Sequence, residues 1–112
     1  MADKLHGNGV NQAREMKRIP TTFQLLNHKI TVRVLHRNEW PAKYADAVGV
    51  WDHQKNEILL LKQPRTVLRH TFWHEATHAL LDMAGQSKLS TNESFVDAMG
   101  GLLAQMMDST EF

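Results

Sequence analysis

The feature that most constrains the folding of this chain is a stretch of helical periodicity over residues 67–84. Apolar side chains cover most of the circumference of the predicted helix, and such a helix must be buried against other elements. A narrow polar line runs along the remaining side: Thr71, His74, Glu75, His78 and Asp82. Thr66 is a suitable N-cap, and Gly85 is the residue type that often ends helices in the left-handed conformation. We therefore expect the remaining elements to pack around this helix.

The polar line contains one His-Glu-x-x-His sequence, from His74 to His78. Residues four apart lie on one face of an α-helix, so the two imidazoles can bind one divalent metal ion. Glu75 lies about 100° around the helix from His74. There it is beside the ion and can act as general base toward a metal-activated water. Satisfied core histidines are the alternative, because short motifs also arise by chance. The mostly apolar helix around the motif favours the metal site.

A zinc ion at a catalytic site usually has three protein ligands and one open position. The chain contains seven histidines and no cysteine, and no histidine follows His78. The third ligand is therefore an acidic residue after the motif or a residue upstream of it. Among the acidic residues, Asp82 is collinear with both histidines on one helix, and Asp108 and Glu111 lie in a segment expected to fray.

Two other acidic residues lie at the start of a second predicted helix. Asn92 is a suitable cap for this helix, and Glu93 and Asp97 lie one turn apart on the same face of it. The short polar loop over residues 86–91 favours an antiparallel return that brings this face to the histidines. We predict that Glu93 is the third ligand. Asp97 is then expected to accept a hydrogen bond from the free ring N–H of a ligand histidine, His74.

Period-two alternation before the motif helix predicts a small antiparallel sheet of three to four strands. Residues 22–26 and 30–35 form one predicted hairpin, with a turn at Asn27-His28 because asparagine tolerates left-handed backbone angles. Residues 47–51 and 57–61 form a second predicted hairpin. The predicted fold class is therefore α+β, in which the sheet is followed by two long helices that carry the metal site.

Size and composition are those of one globular domain. Of the 112 residues, 42% are hydrophobic and 22% charged, and the formal net charge is +1, so nothing overall favours nucleic acid or a membrane as partner. Residues 1–19 are expected to be a flexible N-terminal segment with a short helix over residues 10–18, and residues 20–112 to be the domain. The sequence has no signal-peptide or membrane-span pattern, so we expect a cytoplasmic protein, a monomer or a small homo-oligomer.

The two motifs resemble those of a known family. His74-Glu75-x-x-His78 followed by Asn92-Glu93-x-x-x-Asp97 resembles the gluzincin pattern, in which the next helix supplies the third ligand and its orienting carboxylate. A small sheet before these helices is similar to the compact ImmA/IrrE-type metallopeptidases and to related phage and prophage proteins. The resemblance extends over about residues 20–108. The His78–Glu93 spacing is shorter than in the large gluzincins, and we expect no second domain with their His or Tyr oxyanion stabiliser.

The resemblance implies a minimal zincin-like fold and a zinc-dependent endopeptidase that is phage- or prophage-encoded and acts on a peptide or protein substrate. In this interpretation His74, His78 and Glu93 bind Zn²⁺, and Glu75 is the general base. The alternative is a non-catalytic zinc-stabilised module that binds a host or phage protein. A nucleic-acid-associated protein that uses the basic residues within 14–18 and 62–69 is a second alternative.

Three further side chains are candidates for the rim of the site or for transition-state stabilisation. His70 precedes His74 by one turn and is expected at the mouth of the cleft. Tyr44, the only tyrosine, and His53 lie on predicted loops, where a surface role is the alternative. We expect the substrate to lie extended along an exposed strand edge, residues 57–61, and to add main-chain hydrogen bonds there.

Overall fold

A computed structural model describes residues 19–112, so the segment predicted to be flexible, with its short helix over residues 10–18, lies outside the described residues except for Ile19. The described chain has an α+β structure. Its strands are Thr22–Leu25 (β1), His28–Leu35 (β2), Gly49–Asp52 (β3) and Glu57–Leu61 (β4). Its helices are Arg65–Met83 (α1), Ser87–Ser90 (α2) and Glu93–Ser109 (α3), and two 3₁₀ turns, Arg37–Glu39 and Ala42–Tyr44, lie between β2 and β3. No helix within residues 19–112 is both long and apolar enough to cross a bilayer.

The four strands form one mixed sheet in the order β1-β2-β4-β3. The two predicted hairpins are present as antiparallel pairs, but β2 and β4 pair in parallel at the centre. The prediction of an antiparallel sheet is therefore wrong. The physical reason is the run from Ile58 to Leu61, which is buried throughout and requires cover on both faces of the sheet. The connection after β2 carries the chain to the far edge, and β4 returns into the centre.

A consequence of this order is that the free edge near α1 belongs to β3. Residues 57–61 pair on both sides, so the expectation that a substrate adds to that strand is wrong. Leu61 N donates to Val48 O over 2.9 Å. In the register of this strand pair, Val48 and Val50 are therefore the β3-side residues whose backbone groups are hydrogen-bonded to β4. The backbone groups of Gly49 and Trp51 therefore point away from β4, toward the free edge.

The turn of the first hairpin lies one residue earlier than predicted. β1 ends at Leu25 and β2 begins at His28, so the turn is Leu26-Asn27. Leu26, not Asn27, takes the left-handed conformation with a φ of 55°. The expectation that asparagine supplies this conformation is therefore wrong.

Each face of the sheet is covered by a separate apolar cluster. The face toward α1 packs a cluster of Ile30, Val32, Ile58, Leu60, Leu68, Phe72 and Ala76. The opposite face packs a smaller cluster of Leu35, Trp40, Leu59 and Leu61, with Tyr44 and Val50 against it. The 3₁₀ turns thus cover the second face of the sheet, which the central strand β4 requires.

The helix α1 begins two residues earlier than the predicted position 67 and ends within one residue of the predicted position 84. Its N-cap is Pro64, with no side-chain cap hydrogen bond, so the prediction that Thr66 caps the helix is wrong. Gly85 has a φ of 75°. Gln86 N donates to Leu81 O over 2.7 Å, and Gly85 N donates to Asp82 O over 3.1 Å. These two bonds are the Schellman pair that closes a helix at a left-handed residue. The role predicted for Gly85 is confirmed.

The segment over residues 86–91 is not simply the predicted loop, since it contains the short helix α2. The prediction of two long helices is therefore wrong in number. α3 begins after Asn92, whose Oδ1 accepts a hydrogen bond from Phe95 N over 3.1 Å. The predicted cap is confirmed.

Gly100 allows α3 to approach the α1 turn that carries the first histidine. A Cβ at Gly100 would lie 3.1 Å from the backbone N and Cα of His74 and from the Trp73 carbonyl oxygen. Further along α3, Asp108 Oδ1 lies 2.6 Å from Arg69 Nη1, near the start of α1. α3 therefore returns antiparallel to α1, and its first turn lies beside the polar line.

Candidate metal centre

The side chains of His74, His78 and Glu93 converge where α1 and α3 meet. Glu93 Oε2 lies 3.0 Å from His74 Nε2, and Glu93 Oε1 lies 3.2 Å from His78 Nε2. One ligand atom from each residue lies within 4.8 Å of the other two. A zinc ion with tetrahedral ligands at ~2.0–2.1 Å separates those ligand atoms by about 3.3 Å. The three side chains therefore fit one metal ion.

The second ring nitrogen of each histidine also has a partner. His74 Nδ1 lies 3.3 Å from Asp97 Oδ1, and His78 Nδ1 lies 2.9 Å from Ser90 Oγ. The tautomers are assigned from these partners. An ionised carboxylate accepts hydrogen bonds and cannot donate them, so His74 donates its Nδ1–H to Asp97.

This tautomer leaves two acceptors facing each other across the site. A neutral His74 with its proton on Nδ1 carries a lone pair on Nε2, 3.0 Å from the Glu93 carboxylate. Such a pair is repulsive unless a positive charge lies between the atoms, either a second proton on the ring or a metal ion. The donor set and its orientation therefore suit a bound cation.

One carboxylate oxygen of Asp97 contacts two histidines. Its Oδ1 lies 3.2 Å from His70 Nε2 as well as 3.3 Å from His74 Nδ1. Hydrogen bonds from His74 and then His70 lower the pKa of the Asp97 carboxyl, which keeps it ionised as an acceptor. The His70 side chain is 56% exposed and is not one of the three converging residues. It lies at the rim, held by Asp97.

Ser90 is a residue that the sequence reasoning missed. It is buried at the end of α2, and its hydroxyl is the partner of His78 Nδ1. A partner of this kind fixes the ring orientation of a metal-binding histidine. Ser90 lies in a segment that looks like a polar loop, so only the presence of a hydroxyl between the two ligand helices could have indicated it.

Glu75 lines the same cleft and is 8% exposed. Burial raises the pKa of its carboxyl from 4.5 to about 7, with Glu93 adding to the rise. The nearby His74 and a hydrogen bond from the Trp51 backbone lower it in part. A carboxyl group that gains and loses a proton near neutral pH is suited to general acid–base chemistry.

The edge strand β3 lies directly against Glu75 because residue 49 has no side chain. A Cβ at Gly49 would lie 2.5 Å from Thr71 Cγ2 and 3.0 Å from Glu75 Cγ. The strand, the three converging side chains and Glu75 together line a cleft of about 350 Å³. Any larger residue at position 49 would push the strand away from the cleft.

Two of the candidate rim residues lie elsewhere. Tyr44 packs against the apolar cluster on the far face of the sheet. His53 lines a neighbouring cavity with Asp82. Asp82 itself accepts a hydrogen bond from Trp51 Nε1 over 2.8 Å. Of His70, Tyr44 and His53, the structure brings only His70 close to the converging residues.

Comparison with protein-family models, with curated proteins and with solved structures finds no match for this chain.

The metal-free protein is expected to lose stability as the pH rises from about 4.5 to about 7. In that range an unfolded Glu75 releases its proton while the folded one retains it, so the folded state is favoured most at the acidic end. The shift corresponds to a loss of about 3 kcal/mol by pH 7. Denaturant unfolding of chelator-treated protein at a series of pH values measures this loss in the free energy of unfolding.

Glu75→Gln provides the comparison for this measurement, because other groups also titrate. The amide has no charge to bury, so the variant should gain stability relative to the original protein as the pH rises through this range. Above about pH 8 the difference in free energy of unfolding between the two proteins should be constant. A difference that is independent of pH would contradict the raised pKa of Glu75.

Proposed function

We propose that the protein is a zinc-dependent metallopeptidase of the gluzincin type, similar to the compact ImmA/IrrE-type enzymes, which hydrolyses a peptide bond. One observation carries the proposal: the His74 and His78 Nε2 atoms face the Glu93 carboxylate, and the carboxyl group of Glu75 lines the same cleft. Ligands and general base thus share one solvent-accessible space.

The choice of zinc rests on the donor set. Two imidazole nitrogens and one carboxylate oxygen are a ligand set that catalytic zinc uses, with a fourth position left for water or substrate. Asp97 and Ser90 hold both rings with Nε2 toward Glu93. When bound, Zn²⁺ supplies Lewis-acid polarisation of a carbonyl group and lowers the pKa of water.

Glu75 is the proton carrier in this proposal. Its carboxylate takes a proton from the attacking water and, as a carboxylic acid, gives that proton to the departing amine nitrogen. In the metal-free protein burial raises the pKa of this carboxyl group to about 7, and a zinc ion bound beside it would lower that pKa and favour the carboxylate that takes up the proton. The residue therefore starts and ends the reaction ionised.

The free edge of β3 is the proposed binding strand for the substrate, in place of residues 57–61. The backbone N–H and C=O of Gly49 and the C=O of Trp51 point away from β4, and both residues line the cleft beside Glu75. An extended peptide can add to such an edge through main-chain hydrogen bonds. The scissile carbonyl would then lie next to the converging side chains.

Metal dependence tests the proposal. Protein purified without chelator is expected to contain one zinc per chain by elemental analysis and to cleave peptides in a proteome-derived library read by mass spectrometry. Chelation should abolish the cleavage, and added Zn²⁺ should restore it. A library is used because a dedicated substrate would escape a generic protease assay.

The alternatives give different results in this experiment. Absence of stoichiometric zinc would overturn the metal site. Stoichiometric zinc with no cleavage of any library peptide would favour the non-catalytic module that binds a protein partner.

A further inference from the structure

A second cavity lies next to the metal cleft and shares Trp51 with it as a wall. It has a volume of about 550 Å³ and is formed between the β3–β4 turn and the end of α1. Its other lining residues include His28, His53, Asn56, Asp82 and Met83. A peptide lying along the edge of β3 in the cleft would place one of its side chains at this cavity.

Asp82 gives the cavity its charge. Trp51 Nε1 donates to Asp82 Oδ2 over 2.8 Å, so one carboxylate oxygen is held by the indole. No lysine or arginine is among the residues that line the cavity, and within residues 19–112 no salt bridge to Asp82 is found. The second carboxylate oxygen therefore has no cationic partner in the described chain.

The position of Asp82 does not favour helix stability. It lies in the last turn of α1, where no basic residue is present and where the helix dipole favours cations over carboxylates. The charge strengthens the hydrogen bond from Trp51, but that bond engages only one carboxylate oxygen. The other oxygen is available to a ligand.

We propose that this cavity binds a lysine or arginine side chain of the peptide substrate, an inference that rests on the proposed peptidase function. The aliphatic stem of such a side chain would pack against Trp51 and Met83, and its cationic group would meet the Asp82 carboxylate. An acidic side chain would be repelled, and an apolar one would desolvate the carboxylate without compensation. Asp82 is then a determinant of specificity.

The test uses peptides that differ only in charge at one position. In a positional-scanning set, each position in turn carries lysine, norleucine or glutamate. Binding to the zinc-loaded Glu75→Gln variant is measured by calorimetry, and cleavage by the original protein is measured by mass spectrometry. At one position we expect lysine to bind about fivefold more tightly than norleucine, the factor that corresponds to about 1 kcal/mol for a partly exposed ion pair.

Two substitutions separate specificity from overall charge. In Asp82→Asn the Trp51 hydrogen bond can persist while the charge is lost, and the preference for lysine should disappear. Asp46→Asn removes the same charge from an exposed position outside this cavity, and the preference should remain. A preference that survives in Asp82→Asn, or no preference at any position, would overturn the proposal. Lysine-selective binding without cleavage would support the cavity and count against the peptidase.

Discussion

Replacing Glu75 with glutamine is expected to lower kcat/KM for peptide hydrolysis by about 10²–10⁴-fold while leaving the zinc content unchanged. Glutamine has nearly the same shape, but its amide can neither take a proton from water nor return one to the amine. Glu75 is not one of the three converging residues, so metal binding should persist. Rate and zinc content are measured on the same preparation.

Glu111→Gln is the matched control, since it makes the same chemical change at an exposed position near the end of the chain. Its activity and zinc content should equal those of the original protein. Full activity in Glu75→Gln would rule out the proposed mechanism. Thermal unfolding checks that the variant is folded, and the removal of a buried titratable group should make it no less stable at pH 7.

Replacing His74 with alanine is expected to weaken zinc binding by more than about 100-fold, beyond the 10–100-fold typical for loss of an outer partner of a ligand. The substitution removes one of the three donors and leaves Asp97 without its His74 partner. The affinity is measured by competition with a chromogenic chelator. This readout does not depend on catalysis.

His70→Ala is the control for this experiment. His70 is one turn earlier on the same helix face and contacts the same oxygen of Asp97, at 3.2 Å, but it is not one of the converging residues. Its loss should change zinc affinity by less than about tenfold. Equal weakening in both variants, or unchanged affinity in His74→Ala, would contradict the assignment of the ligands.

The converging residues could be predicted from local rules and elimination. Helical spacing puts His74 and His78 on one face, and the absence of any later histidine or any cysteine restricts the third ligand. The Asn92 cap then defines where the next helix begins, which places Glu93 in its first turn. Each of these steps depends on residues close together in the sequence.

The surroundings of the site could not be predicted in this way. Ser90 reaches His78 only because α2 folds within a segment that reads as a polar loop. Asp82 binds Trp51, which is 31 positions away. The expectations for Tyr44 and His53 rested on their lying in loops, and loop position alone does not determine which part of the fold a side chain faces.

The sequence by itself therefore determined the helix that carries His74, the spacing of its histidines, the Gly85 end and the helix that begins at Glu93, because hydrogen bonds within a few residues decide these features. The tertiary structure alone decided that β4 is central and parallel to β2, and that β3 provides the free edge beside Glu75. The physical reason is that the order of strands depends on which apolar surface can be covered on both faces. That is a property of the whole sheet and of the turns packed behind it.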